Sequence, residues 1–267
     1  MGQRICDKTT REVLSERHVD ADGGKFTKFL VPKVELDPVM RAQTLARATF
    51  RQLSLPWGED GLRIINSTNF FTFRERMQTC RELCDKEADA FAARYPDLLT
   101  HAPARLNGLY DPNDFPSPSD IRNRFSMRLA ISPVPAKEDF RVTLGADIEQ
   151  EIRENIETTV TERLGAAQRY LWDRVFGTLK HFAATMGDKE QKFKNTTVER
   201  LRDLARLAPQ LSLVPDPTLE RLCQDISGLL DGVSAEDLRD NKHVRADAAQ
   251  TAAATLAEVE RAMQGAF

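Results

Sequence analysis

The sequence predicts a mainly α protein: a long antiparallel helical pair carrying a small β-hairpin or sheet, followed by a C-terminal helical bundle. Three observations carry that reading. Apolar residues recur every three or four positions over two long stretches, the period of one helix face. Seven of the thirteen prolines fall between Pro96 and Pro135, so long helices are expected on either side of that segment. Strict apolar–polar alternation stands out around 127–144.

The elements follow in order. Asp37-Pro38, Ser117-Pro118 and Asp216-Pro217 read as helix starts, with a side-chain acceptor just before a proline that needs no donor. Phe70, Phe73, Met77, Cys80, Cys84, Ala88, Phe91 and Tyr95 mark the seam of a helix over 69–95, which Pro96 is expected to stop. Met127, Leu129 and Ile131 alternate with polar neighbours, as do Phe140, Val142 and Leu144. The two runs flank Pro133 to Lys137 and predict a hairpin. A hairpin alone is marginal, so 62–65 or 26–31 is expected to lend a third strand.

A second long helix spans 146–186, with Ile148, Ile152, Ile156, Val160, Leu164, Ala167, Leu171, Val175, Leu179, Phe182 and Met186 on its seam. At helical rise it is about 60 Å long, longer than one compact layer is thick. Asp147, Glu149, Glu151 and Glu154 in its first turns suit the positive end of the helix dipole. Further helices are expected near 192–208, 217–231 and 235–263, the last opened by the box Ser234-Ala235-Glu236-Asp237. Gly187 and Gly232 fall at C-cap positions. The organisation expected is an N-terminal segment 1–66, a long-helix region 67–187 and a bundle 188–267.

Composition narrows the function classes. A formal charge of -3 builds in no wholesale attraction to nucleic acid or anionic lipid. No apolar run reaches the roughly 18 residues of a membrane span. The opening MGQRICDKTTREVLSER carries charge where a secretory leader is apolar, so a cytosolic location is expected. Gly23-Gly24-Lys25 lacks the preceding strand of a phosphate loop. Cys80 and Cys84 lie one turn apart but on the apolar seam, where cysteine acts as a small hydrophobe. No nucleophile elbow or zinc spacing occurs, so the reading is of a protein without catalytic residues, metal or cofactor.

Two kinds of site are expected instead. Ile148, Ile152, Ile156, Val160, Leu171 and Leu179 are candidates for a protein interface, because the helix over 69–95 is too short to cover the whole longer seam. The partner would be a second copy or another protein, with a basic one suiting the glutamates best. Arg122, Arg124, Arg128, Lys137 and Arg141 are candidates for binding single-stranded nucleic acid, Arg128 and Arg141 sharing the hairpin's polar face.

Leu55-Pro56-Trp57, Gly61-Leu62-Arg63-Ile64, Asn69-Phe70 and Phe73 form one motif set. Phe115-Pro116-Ser117, Val134-Pro135 and Asp139-Phe140-Arg141-Val142 form a second. Together they resemble an uncharacterised family of domains of unknown function carried by bacteriophages and prophages. The resemblance covers about residues 25–245 and implies a phage-type accessory protein made in the cytoplasm of a bacterial host. It carries over no catalytic residue. The functional expectation is a non-enzymatic protein acting through helix-mediated contacts with itself or with a host or phage protein. Single-strand binding or annealing in phage replication or recombination is the alternative.

Overall fold

The computed structural model describes residues 3–5, 7–18, 20, 22–58, 61–136, 146–188 and 190–266. The fold is mainly α. The chain divides into two compact units, Met1–Phe50 with Arg74–Ala130, and Arg51–Phe73 with Ile131–Phe267.

In the first unit, β1 (Gln3–Ile5) pairs antiparallel with β2 (Thr27–Phe29), Arg4 opposite Lys28, and α1 (Asp7–Glu16) lies between them in sequence. Helix α2 (Lys33–Gln52) buries Val39, Ala42 and Ala46 on one face. It begins a turn before Asp37-Pro38, so Pro38 lies inside it. The hydrogen bond that Pro38 forfeits is to the carbonyl of Val34, whose residue is 69% exposed, so water can replace it.

Helix α3 (Phe70–Leu106) corrects the expected stop at Pro96, because it continues through both Pro96 and Pro103. Each proline costs a helix about 3 kcal/mol. Tyr95 before the first proline and Ala102 and Leu106 around the second are buried, so packing holds the helix across both sites. Phe91, Tyr95 and Ala88 join Val31, Val39, Ile121 and Phe125 in one core cluster. The Phe91 and Phe125 rings meet edge-on at 5.5 Å, and Tyr95 Oη donates to the Pro116 carbonyl at 3.1 Å. Ile121 comes from α4 (Pro118–Ile121), a single turn that starts where Ser117-Pro118 predicts.

The expected hairpin is not formed on its first side. Residues 127–136 contain no strand, while Phe140, Val142 and Leu144 lie outside the described residues. Leu129 and Ile131 are 39% and 51% exposed, so their alternation has no buried face to serve. The segments expected to lend a third strand pair elsewhere. One is β2, and the other contributes β4 (Arg63–Ile64), which pairs with β3 (Leu55–Pro56) in the second unit.

That unit is built on α5 (Ala146–Gly187), followed by α6 (Asn195–Leu211), α7 (Pro217–Leu229), α8 (Asp237–Asp240) and α9 (Lys242–Ala266). Within it α5 packs on α9, α6 and β3, whereas the helix expected to pair with α5 belongs mainly to the first unit. Asp216 caps α7 by accepting from the Leu219 amide at 3.0 Å. Ser234 and Asp237 satisfy each other's amides at 2.8 and 3.0 Å, the reciprocal box expected there. The expected single helix over 235–263 is broken at Asn241, whose Oδ1 accepts from the amides of His243 and Val244 and so starts α9 afresh. Gly232, with φ of 66°, supplies the left-handed residue after α7.

Candidate functional site

Helix α9 runs back along α5 from its C-terminal end. Arg245, in the first turn of α9, donates to the carbonyls of Thr185 at 2.9 Å and Met186 at 3.2 Å, and the two helices remain packed together. At about 1.5 Å per residue, the 42 residues of α5 span roughly 63 Å and the 25 of α9 roughly 37 Å. About the first seventeen residues of α5 therefore reach past α9.

The seam divides accordingly. Ala167, Leu171, Val175, Leu179, Phe182 and Met186 are all buried. Ile152, Ile156, Val160 and Leu164 are only partly buried, and Ile148 is 51% exposed. Leu171 and Leu179 are wholly enclosed and serve as core, which removes them from the expected interface and leaves Ile148, Ile152, Ile156 and Val160.

Carboxylates flank that remaining stripe. Asp147, Glu151, Glu154 and Glu157 are exposed, and Glu149 faces Arg153 at 3.8 Å. Gln150 donates to Glu154 at 2.6 Å. Acidic side chains are favoured in the first turns of a helix, so this face is acidic at little cost to the fold. The site is thus an apolar strip with negative margins, continuous with a packed core.

Of the expected nucleic-acid residues, Arg122, Arg124 and Arg128 are described. Arg122 is held by Asp85 at 2.9 Å and by Asp89, and donates to the Phe125 carbonyl at 2.7 Å. It fastens residues 121–125 to α3, a structural role that corrects its assignment to a binding face. Arg124 and Arg128 are exposed, whereas Lys137 and Arg141 lie outside the described residues. The shared polar face of a hairpin is therefore not what positions Arg128.

Arg128 instead borders a groove of about 390 Å³ in the first unit, lined by Arg47, Phe50, Met77, Cys84 and Phe125 among others. Cys80 is buried and Cys84 partly so. Burial raises the Cys84 pKa, with Cys80 and Asp85 adding to the effect and Arg47 opposing it. That is the reverse of thiol activation. Among the described residues, no three His, Cys, Asp or Glu side chains converge as metal ligands, and no helix is long and apolar enough to cross a membrane.

Sequence reading does not single out Arg63 and Arg174, which meet at the end of α2 from positions more than a hundred residues apart. No local spacing signals such a meeting. Comparison of the chain with protein-family models, curated proteins and solved structures gives no match.

Proposed function

We propose that this chain is a non-enzymatic accessory protein, of the phage type its resemblance implies, that receives a basic amphipathic helix of another protein on the N-terminal half of α5. The observation that carries this reading is the division of one seam into a buried half and a half that outruns α9. Ile148, Ile152, Ile156 and Val160 repeat at four-residue intervals, the anchor spacing of helix-in-groove recognition.

Charge selects the occupant. A second copy would bring Glu151, Glu154 and Glu157 of both chains together, and like charges about 4 Å apart repel by roughly 1 kcal/mol even in water. Lysines or arginines flanking an apolar stripe would instead meet carboxylates on both margins. The complex would then weaken with added salt.

The test is titration calorimetry with a synthetic leucine–lysine amphipathic peptide and a scrambled control. Expected is saturable, salt-sensitive binding of the ordered peptide alone, lost in Ile152→Glu and Ile156→Glu while the melting temperature holds. Equal binding of the scrambled peptide would overturn the reading. So would concentration-dependent dimerisation, detected by light scattering and abolished by those same changes.

A further inference from the structure

Farther along α5 in the second unit, Arg174 meets Arg63, with Arg51 close to Arg63, and among the described residues none of the three has an acidic partner. Arg63, on β4, donates from Nε to Ser54 Oγ at 2.7 Å and from Nη2 to the carbonyls of Ser54 at 2.6 Å and Arg51 at 3.2 Å. Arg174, on α5, donates from Nη1 to the carbonyl of Gln52 at 3.1 Å. Two guanidinium groups thus sit on carbonyls of consecutive residues, which brings them close together. Arg51 places a third positive charge there from the last turn of α2.

Capping a helix end explains part of this arrangement, since the last carbonyls of α2 lack intrahelical donors. It does not explain the surplus charge. Among the described residues, no carboxylate forms an ion pair with Arg51, Arg63 or Arg174. Nη2 of Arg174 is not used on those carbonyls, whereas Arg63 has a further side-chain hydrogen bond with Tyr170. Burial lowers the pKa of both arginines, with Tyr170 opposing the shift in each; Arg51 adds to it at Arg63, and Arg63 adds to it at Arg174. An anion arriving here would relieve mutual repulsion that the fold leaves standing.

The geometry also narrows the anion. One guanidinium satisfies a carboxylate through a two-pronged pair, whereas three arginines from different directions suit the several oxygens of a phosphate. Tyr170 lies one helical turn before Arg174, next to Arg63, and is 41% exposed, so it offers an aromatic surface beside the charges. Arg163, two turns earlier on the same face of α5, lies 6.0 Å from the Trp57 ring centre and extends the positive strip.

We propose that Arg51, Arg63 and Arg174, with Tyr170 alongside, form a phosphate-binding site for a nucleotide unit, either free or within a single strand. The guanidinium groups hold the phosphate and the tyrosine ring stacks on the base, the pairing of contacts used by single-strand binders. The site lies beyond the helix-docking stripe on α5, and Ile152→Glu, about five helical turns before Tyr170, changes none of its residues.

Fluorescence anisotropy with a labelled oligothymidylate at low salt tests it, with thymidine monophosphate and inorganic phosphate as competitors. Arg174→Gln is expected to weaken binding about tenfold, and Tyr170→Leu to weaken oligonucleotide binding by a similar factor while sparing inorganic phosphate. Arg51→Gln, which removes no side-chain hydrogen bond, is expected to lower the salt slope by about 0.7 with no change in melting temperature. Oligonucleotide binding much tighter than the monophosphate supports the strand as source, and equal binding supports the free nucleotide. No binding of any of the three probes would overturn the proposal. Binding indifferent to both Arg51→Gln and Tyr170→Leu would do the same.

Discussion

The indole Nε1 of Trp172 donates to Oδ2 of Asp216 at 2.9 Å, tying the middle of α5 to the start of α7. The same carboxylate oxygen accepts from Gln168 Nε2 at 3.0 Å, and its other oxygen caps the Leu219 amide. One side chain thereby satisfies two buried donors and a helix end.

Replacing Asp216 with Ala removes a cap worth about 1 kcal/mol and leaves the Trp172 donor buried without an acceptor, at about 1–3 kcal/mol more, while Gln168 Nε2 keeps Ser212 Oγ at 3.0 Å. Urea denaturation of Asp216→Ala is expected to show a loss of roughly 3 kcal/mol. Asp216→Asn, which keeps an acceptor oxygen, is expected to lose less. Equal losses would mean that the acceptor role is minor.

The two halves of the α5 seam are expected to differ sharply in their response to the same substitution. Leu179→Glu puts an unpaired charge in a wholly buried place and should cost about 3–5 kcal/mol. Ile152→Glu falls where the residue is only partly buried and should move the melting temperature little. Thermal scans of the two variants side by side check this, and similar destabilisation would show that the first half is core as well.

Cys223 is buried, and burial, helped by the nearby Asp216 charge, pushes its pKa up from 9.0 to about 12. A folded-state value above the unfolded one means that the thiol favours the fold fully below about pH 9. That contribution is then lost as pH rises through 9 towards 12. Stability measured by denaturant over that range is expected to fall with pH, with a shallower slope in Cys223→Ala. At pH 8 the native thiol should react with a disulfide reagent only at the rate of unfolding.

Arg122 and Phe125 anchor the same short segment by different means. The Arg122 ion pairs are partly exposed, so Arg122→Ala should cost only about 1 kcal/mol. Phe125 packs on Phe91 in the core cluster, and Phe125→Ala should cost about 3 kcal/mol or more. Oligonucleotide retention is expected to be unchanged in Arg122→Ala. A clear loss there would return this arginine to a binding role.

The legible parts of the fold are those written in local spacing. The α5 seam, the Asp216-Pro217 start and the Ser234–Asp237 box depend on residues a few positions apart, and each is found where the sequence places it. The continuation of α3 past Pro96 was not legible, because the burial of Ala102 and Leu106 that sustains it is a tertiary matter. Nor was the fate of 127–131, where alternation is real but lacks a sheet to face. At the candidate sites, Ile148 to Val160 could be named but not separated from Leu171 and Leu179, since only the length of α9 divides them. The meeting of Arg63 with Arg174 left no trace in composition or period, being set by two carbonyls at the end of another helix.

The overhang of α5 has a dynamic consequence. About seventeen residues of helix is near the length at which an isolated helix in water is only marginal. Here the costly first turn is already formed by the enclosed half, so the overhang persists by elongation from one anchored end and frays from the other. Its amides should exchange with solvent deuterium in order, fastest near Ile148 and progressively slower towards Leu164, while those around Leu179 exchange only through global opening. A bound partner helix would erase that gradient, so the exchange profile reports occupancy of the face even when the partner makes no measurable change in the rest of the fold.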